Sequence, residues 1–452
     1  MRVNSSDRVL ATPRVALAHD GAPLALWEPV DDPRTAVEPT AEPGAIAGGA
    51  DDVAAALAAR RRVVHVIDSL AGSGGAENRL VDEVIALTDR FDQTVVRLFE
   101  RGFLDQRLAA ARVPVVALGY TAQGAGRSWP AVARSLTRRL RDLGPDVIHT
   151  SLFTGNLVGQ IAGARLGVPV VSTFNRSGES DLLRSLTPGA GAWKARTMQF
   201  VARRVARRGD VHYRAVGAYV RDTNCLSMRL PVDAATVVHR GVEIDAAAVG
   251  DAERSAFGLP DGVPLFVNAA RLVPEKAQHL LVEAFAIVRS HLPGARLAIV
   301  GEPGTAAPVV TAAIERTGLD DAVSLFGFRS DARALVAAAD VFVFSSVSEG
   351  SPGAVVEALV LGTPVAAFGI PPVTELTDGD RHAWLAEPGD PVALARAMVD
   401  AWRAPDRAER AAAAQTWAQQ TYSLASAAQQ LGDLLEYRTV HRPAPRRRWR
   451  RR

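Results

Sequence analysis

Cysteine is almost missing from this chain, with one residue, Cys225, among 452. A lone thiol cannot close an internal disulfide, so neither a disulfide framework nor a cysteine-rich metal site is available, and a reducing compartment fits. Cys225 itself reads as a small buried hydrophobe rather than a nucleophile. Long apolar runs are lacking too. No stretch approaches the roughly 20 residues a membrane-spanning helix needs. The N-terminus has no basic segment leading into an apolar one, so a cytoplasmic chain, neither exported nor integral, is expected. Net charge is low, +3 in all, yet unevenly placed: the last eleven residues hold seven arginines and no acid. That asymmetry bears on partners rather than on fold.

What is present suffices for two cores. Apolar residues make up 48% of the chain and charged ones 22%, a globular balance. The length exceeds the ~250–300 residues at which single cores stop growing. Residues 1–59, rich in Ala, Pro and Asp without period, read as a disordered extension. Order begins with the apolar run Arg62–Ile67, then Asp68, a glycine-rich loop and a helix from about Glu77. Apolar runs recur at 93–98, 113–118, 146–150 and 168–173, separated by helical stretches such as 127–142 and 154–166. After an irregular region near 224–236, a second series runs through 263–268, 295–300, 322–326, 340–345 and 364–368.

Strands alternating with helices predict parallel sheets covered on both faces, here an α/β chain of two doubly wound, Rossmann-like domains facing a cleft. The expected division is 60–235 for the first domain, 236–405 for the second, 406–436 for terminal helices and 437–452 for a basic tail. Ligands of such sheets sit outside the carboxyl ends of the strands, so chemistry is sought in the loops that follow them.

The strongest constellation follows the run Asp340–Ser345: Ser348, Glu349, Gly350, Ser351, Pro352, Gly353 and, eight residues past Glu349, Glu357. Ser351 suits an N-cap and Pro352 a first helical turn, which puts a helix start at about Pro352. The free N–H groups there suit phosphate oxygens, and Gly350 and Gly353 let backbone approach closely. Glu349 and Glu357 flank that position and could accept from sugar or ribose hydroxyls. The blander alternative is electrostatic capping by Glu349 and an ordinary surface Glu357. After the run Leu265–Asn268 come Arg271 and Lys276, cations suited to a diphosphate. Gly72, Gly74 and Gly75 lie between the first strand and helix, where a plain turn competes with backbone contact to a phosphate. Val237–Glu243 reads as a strand into a turn at Gly241, Gly327 and Phe328 follow another strand where an aromatic could hold a flat base, and Phe368–Glu375 forms a further loop.

Taken as an ordered set, these pieces resemble glycosyltransferase family 4. Glu349 to Glu357 is similar to its E-x7-E motif, accompanied by Gly74-Gly75-Ala76-Glu77, His239-Arg240-Gly241-Val242, Arg271 with Lys276, Gly327-Phe328 and the Gly369–Glu375 loop, over about residues 60–436. The resemblance implies a GT-B fold and a retaining, metal-independent glycosyltransferase with no other cofactor. It implies a nucleotide-sugar donor (UDP-, GDP- or ADP-sugar) held mostly by the second domain, and a glycan or lipid-linked acceptor held mostly by the first. Carried over, Arg271 and Lys276 bind the diphosphate, Glu357 the ribose, Glu349 lies beside the donor sugar, and Gly74 and Gly75 approach the diphosphate from the first domain. The terminal helices are implied to brace the first domain.

On the acceptor side the chain departs from the pattern. Asn175-Arg176 stands where many members have a histidine, and Ser151 where a second histidine is common. Asn175 can still hydrogen-bond a sugar hydroxyl. The tail 446–452, with Trp449 among arginines, is expected to meet an anionic membrane surface, and the stretch 193–208 is either a membrane-facing helix or one packed on its own sheet. No specific nucleic-acid partner is expected. A catalytically silent subunit of the same fold and a nucleotide-sugar epimerase remain as alternatives.

Overall fold

The computed structural model describes residues 60–72, 75–100, 102–177, 200–207, 209–243, 254–260 and 262–441. The expected extension 1–59 and the arginine-rich tail 446–452 lie outside them.

Seven strands form the first sheet: β1 (Arg62–Ile67), β2 (Asp92–Phe99), β3 (Val115–Tyr120), β4 (Val147–Thr150), β5 (Val170–Phe174), β6 (Val211–Ala215) and β7 (Ala235–Val237). All pair in parallel, in the order β3-β2-β1-β4-β5-β6-β7. The helices α1 (Gly75–Ala86), α2 (Asp105–Ala110), α3 (Ala122–Leu143), α4 (Phe153–Leu166) and α5 (Ala218–Met228) connect them. β1, β4 and β5 are buried along nearly their whole length, as central parallel strands covered on both faces must be. The first sheet runs two residues past the expected limit of 235, because β7 pairs with β6 and Val238 N–H still bonds to Ala215. Residues 200–207 are helical, and Val201, Ala202 and Val205 pack on the first core, which is the packed-helix alternative for that part of 193–208.

The second sheet repeats the plan with β8 (Leu265–Ala269), β9 (Arg296–Val300), β10 (Val323–Gly327), β11 (Val341–Phe344), β12 (Val365–Phe368) and β13 (Trp384–Ala386), ordered β10-β9-β8-β11-β12-β13 and again parallel. Its helices are α6 (Gln278–His291), α7 (Ala307–Thr317), α8 (Ala332–Ala337), α9 (Gly353–Val360), α10 (Pro371–Leu376) and α11 (Pro391–Arg403). In each sheet the strand order reverses at one place, between β1 and β4 and between β8 and β11, and a ligand crevice belongs there.

The terminal helical segment is divided rather than continuous. α12 (Arg407–Thr421) packs small residues, Ala414 and Ala418, on the second core, and only α13 (Leu424–Val440) lies on the first. The break falls at Tyr422-Ser423, where the Ser423 hydroxyl caps α13 by accepting the Ser426 N–H at 3.2 Å. α13 then buries Leu431, Leu434 and Leu435 against Val63, Phe91 and Val147. Among the described residues no helix is long and apolar enough to cross a membrane.

Candidate functional site

Both loops at the second reversal point carry the expected charged residues, and the fold ties them together. After β8 the chain passes Arg271 and makes a 3₁₀ turn over Pro274–Lys276. Ala277 then takes a left-handed conformation (φ +47°), which redirects it into α6. After β11 the Ser345 hydroxyl donates to the Lys276 carbonyl at 2.8 Å, and Val347 N–H to the Glu275 carbonyl at 2.9 Å. The Lys276 ammonium pairs with Glu349 Oε1 and lies 5.5 Å from the Phe344 ring centre. Lys276 and Glu349 are 20% and 13% exposed, so this charge pair is largely withdrawn from water. Arg271, five residues before Lys276, is exposed and has no side-chain partner among the described residues.

The helix following Glu349 begins one residue later than expected. Pro352 is its N-cap, extended at ψ 95°, and neither Ser351 nor another side chain caps it. Val355 N–H donates to the Pro352 carbonyl at 3.1 Å, and without a capping side chain the Gly353 and Ala354 N–H groups are left for another acceptor. Gly350 explains the need for glycine in this loop: a Cβ there would collide with the Asn175 carbonyl and sit 2.6 Å from Arg176 Cα. The E-x7-E loop therefore seats directly on the loop after β5, and Ser177 Oγ donates to the Glu349 carbonyl at 3.4 Å.

Glu357 Oε1 accepts from two arginines, Arg79 of α1 at 2.7 Å and Arg333 of α8 at 3.1 Å. Arg79 comes from the first half of the chain and was not singled out in the sequence, where it is one basic residue in an otherwise ordinary amphipathic helix. Gly353 opens α9, with Arg79 Nη2 3.8 Å from where a Cβ would stand. Gly74 lies outside the described residues; Gly75 opens α1 in open space. Glu77 of the same motif holds the preceding loop, accepting from the Ser69 hydroxyl and, at 2.9 Å, from the Gly72 N–H. Gly327 has φ +65°, and Phe328 beside it is 76% exposed, an aromatic face free of the core.

Gly241 does not join this group. A Cβ on it would stand 2.5 Å from Leu424 Cα and 2.8 Å from the Ser423 carbonyl, so the glycine is required by the start of α13 packing on the segment joining the two halves. Nearby, Glu375, which lies on α10 because the expected Phe368–Glu375 loop turns helical at Pro371, accepts from Ala218 N–H at 2.6 Å and Tyr219 N–H at 3.1 Å, capping α5 across the two halves.

At the position expected to face an acceptor, Ser151, Asn175 and Arg240 meet. Asn175 Nδ2 donates to Ser151 Oγ at 3.2 Å and its Oδ1 accepts from Arg240, while Arg176 is exposed. Leu152, next to Ser151, is held at φ +66°, a strained conformation for leucine. Ser151, Asn175, Thr173, His149 and Arg79 line a cavity of about 10 Å³, room for about one water. A larger cavity of about 570 Å³ lies between the far end of α1 and the start of α13, and none of the expected site residues lines it.

Beneath the small cavity runs a buried chain that the sequence did not reveal. Gln93 Nε2 must donate to the Val84 carbonyl (2.9 Å), so its Oε1 accepts from His65 Nε2–H (2.9 Å). His65 Nδ1 is then bare and accepts from His149 Nδ1–H at 3.0 Å, and His149 Nε2 accepts from the Thr173 hydroxyl at 2.9 Å. One proton per contact satisfies the whole ladder with both imidazoles neutral. Burial pushes His65 down to about 4 and His149 well below the usual imidazole range. Beside the ladder, Arg214 of β6 and Glu83 of α1 form a two-pronged pair at 2.6 Å on each arm, 2% and 3% exposed. Asp68, after β1, accepts from Thr154 and Gly155 N–H at the start of α4, but burial outweighs them and raises its carboxyl to about 6.

Comparison with known proteins agrees with this geometry. Residues 73–246 match Glycosyltransferase Family 4 and residues 263–403 match Glycosyl transferases group 1. The chain is 28% identical over 291 residues to the D-inositol 3-phosphate glycosyltransferase of Streptomyces scabiei, covering 60% of this chain and 63% of that protein. It is 27% identical over 295 residues to the 2-deoxystreptamine glucosyltransferase of Streptomyces kanamyceticus, covering 61% and 73%. Among solved structures, Anabaena HepE in complex with UDP superposes with a TM-score of 0.70 at 22% identity, covering 83% of this chain and 99% of HepE. Paired Rossmann-like sheets, an E-x7-E loop at the second reversal point and matches to both halves lead to one assignment: the chain belongs to glycosyltransferase family 4 and has the GT-B fold.

Proposed function

We propose that the chain transfers a sugar from a nucleotide diphosphate sugar to a glycan or lipid-linked acceptor, with retention at the anomeric carbon and without a metal. The observation that carries this reading is the tie between Lys276 and Glu349 at the second reversal point, facing Asn175 and Arg79 of the first half. Departure of a nucleoside diphosphate builds negative charge on its β-phosphate. Lys276, Arg271 and the uncapped first turn of α9 are suited to stabilise it, and Glu349 is suited to the donor sugar's hydroxyls. The leaving phosphate takes the acceptor's proton on the same face, since no nucleophile is needed for retention by that route. Phe328 supplies a flat surface for the base.

HepE structures with UDP and with UDP-glucose support a nucleotide-sugar donor, and the lipopolysaccharide core glycosyltransferase LpsE of Rhizobium meliloti, 27% identical over 222 residues, supports a glycan acceptor. Attachment to anionic lipid through 446–452 would bring a lipid-linked acceptor within reach.

The test is turnover of UDP-, GDP- and ADP-sugars by the purified chain, beside Glu349→Ala. The wild type should release nucleoside diphosphate from one donor, and the variant should lose this by about 10²–10³-fold. A second reading, a catalytically silent subunit, draws on Asn175, whose amide oxygen is held by Arg240 and whose nitrogen is held by Ser151. It predicts donor-dependent thermal stabilisation, about 2.7 kcal/mol at 100 times the dissociation constant, with no turnover.

A further inference from the structure

Among the described residues, Arg79 is the side chain of the first half that holds a carboxylate of the E-x7-E motif of the second, whereas Ser177 reaches only the Glu349 carbonyl. It projects from the second turn of α1, is 13% exposed, and donates through Nη2 to Glu357 Oε1 at 2.7 Å. Its Nη1 is steadied by Asp82 one turn on, at 3.4 Å. Arg333 of the second half shares the same carboxylate oxygen at 3.1 Å, but from a side chain 44% exposed. Glu357 Oε2 takes no hydrogen bond from any described residue. The guanidinium also lies over the start of α9, where a Cβ on Gly353 would stand 3.8 Å from Nη2. A Cβ at 353 would thus only touch the guanidinium, which places Arg79 against the first residue of α9.

We infer that Arg79 is a donor-positioning residue contributed by the first half: it holds one oxygen of Glu357 so that the other faces a ribose diol, and sets a cation beside the diphosphate. This rests on the donor reading above. Its consequence is that full nucleotide affinity requires the two halves to be closed on each other, because Glu357 and the cation that orients it belong to different halves. A guanidinium suits the task, since its planar fork can serve a carboxylate and a phosphate oxygen together, whereas an ammonium is a single point of charge.

The experiment is calorimetric titration of the full chain with UDP, GDP and ADP, followed by the nucleotide that binds. The panel comprises wild type, Arg79→Ala, Arg79→Lys, Arg333→Ala, Glu357→Gln and the Arg79→Ala/Glu357→Gln double variant, with melting temperatures recorded without ligand. Arg79→Ala should weaken binding about ten- to hundredfold, Arg79→Lys should recover little of it, and Arg333→Ala should cost less than about threefold. In the Glu357→Gln background the loss from Arg79→Ala should shrink to less than half in logarithmic terms, since the two act through one contact. A lowered melting temperature with unchanged nucleotide affinity would reduce Arg79 to a structural ion pair and overturn the inference. Tighter binding by Arg79→Ala would overturn it too, by making the guanidinium a plug in the ribose position. A wild type that binds none of the three nucleotides would instead overturn the donor reading, and the inference with it.

Discussion

The two halves of the molecule share a strand order over six strands, to which the first adds a seventh, but not an interior. The second sheet is filled with Phe266, Phe285, Phe342, Phe344 and Phe368, and its buried amide, Asn268, donates to the backbone carbonyl of Val343 at 2.8 Å. The first sheet runs a polar seam through its middle: Gln93, His65, His149 and Thr173 across β2, β1, β4 and β5, with Thr150 and Ser172 paired at 2.7 Å beside them. Burying polar groups is favourable only when every donor and acceptor is matched, so the first half depends on its partners and the second on its volumes. The seam ends at the small cavity beneath Ser151 and Asn175.

Removing the Glu83 carboxylate breaks this contrast most severely. Glu83→Ala strands the Arg214 guanidinium in the interior and should cost about 3–5 kcal/mol in denaturant unfolding, whereas Glu83→Leu with Arg214→Met should recover most of it. A loss below 1 kcal/mol in the single variant would show the first interior to be as tolerant of charge as open surface.

Acid sharpens the comparison next. His65 is neutral in the folded chain down to about 4, while the unfolded chain takes up its proton near 6.5. Its stabilising contribution is therefore whole above pH 6.5 and is lost as the pH falls toward 4, by about 3 kcal/mol, with His149 acting in the same direction. Asp68 opposes this. Its carboxyl, raised to about 6, adds stability as the pH falls from 6 to 3.8. Asp68→Asn should therefore steepen the acid loss; an unfolding midpoint flat from pH 7 to 4 in both proteins would contradict the ladder.

The smallest effects concern helix caps. Asp390 accepts from Val392 N–H at 2.8 Å and Ala393 N–H at 3.2 Å at the start of α11, and Ser423 caps α13. Replacing either by alanine should cost about 1 kcal/mol. Ser423→Ala should in addition loosen α13 from the first half, seen as faster amide exchange in β4, while Asp390→Ala should leave β4 unchanged.

The difference between the halves also governed what could be read in advance. Apolar runs such as Val63–Ile67 and Val341–Phe344 mark buried parallel strands plainly, because both faces demand hydrophobes. β6, with His212, Tyr213 and Arg214, carries no such signal: Arg214 belongs inside only because Glu83, 131 residues earlier, meets it there. β7 and β13, of three residues each, are too short to show a period. In the site, Lys276 and Glu349 were legible because loops after adjacent strands at a reversal point must converge. Arg79 was not, and although Arg240 and Glu375 stood within named motifs, their partners Asn175 and the start of α5 were not legible either, since each contact joins distant segments.

Local sequence thus determined the alternation of strands and helices, the two-sheet plan and the loops that carry charge, all of which follow from periodicity and turn chemistry within short windows. Tertiary structure alone decided which charges met across the halves, which histidines stayed neutral, and why Gly241 and Gly350 had to be glycine. Those outcomes depend on distances between segments far apart in the chain, and on burial, which sets whether a polar group is a cost or a constraint.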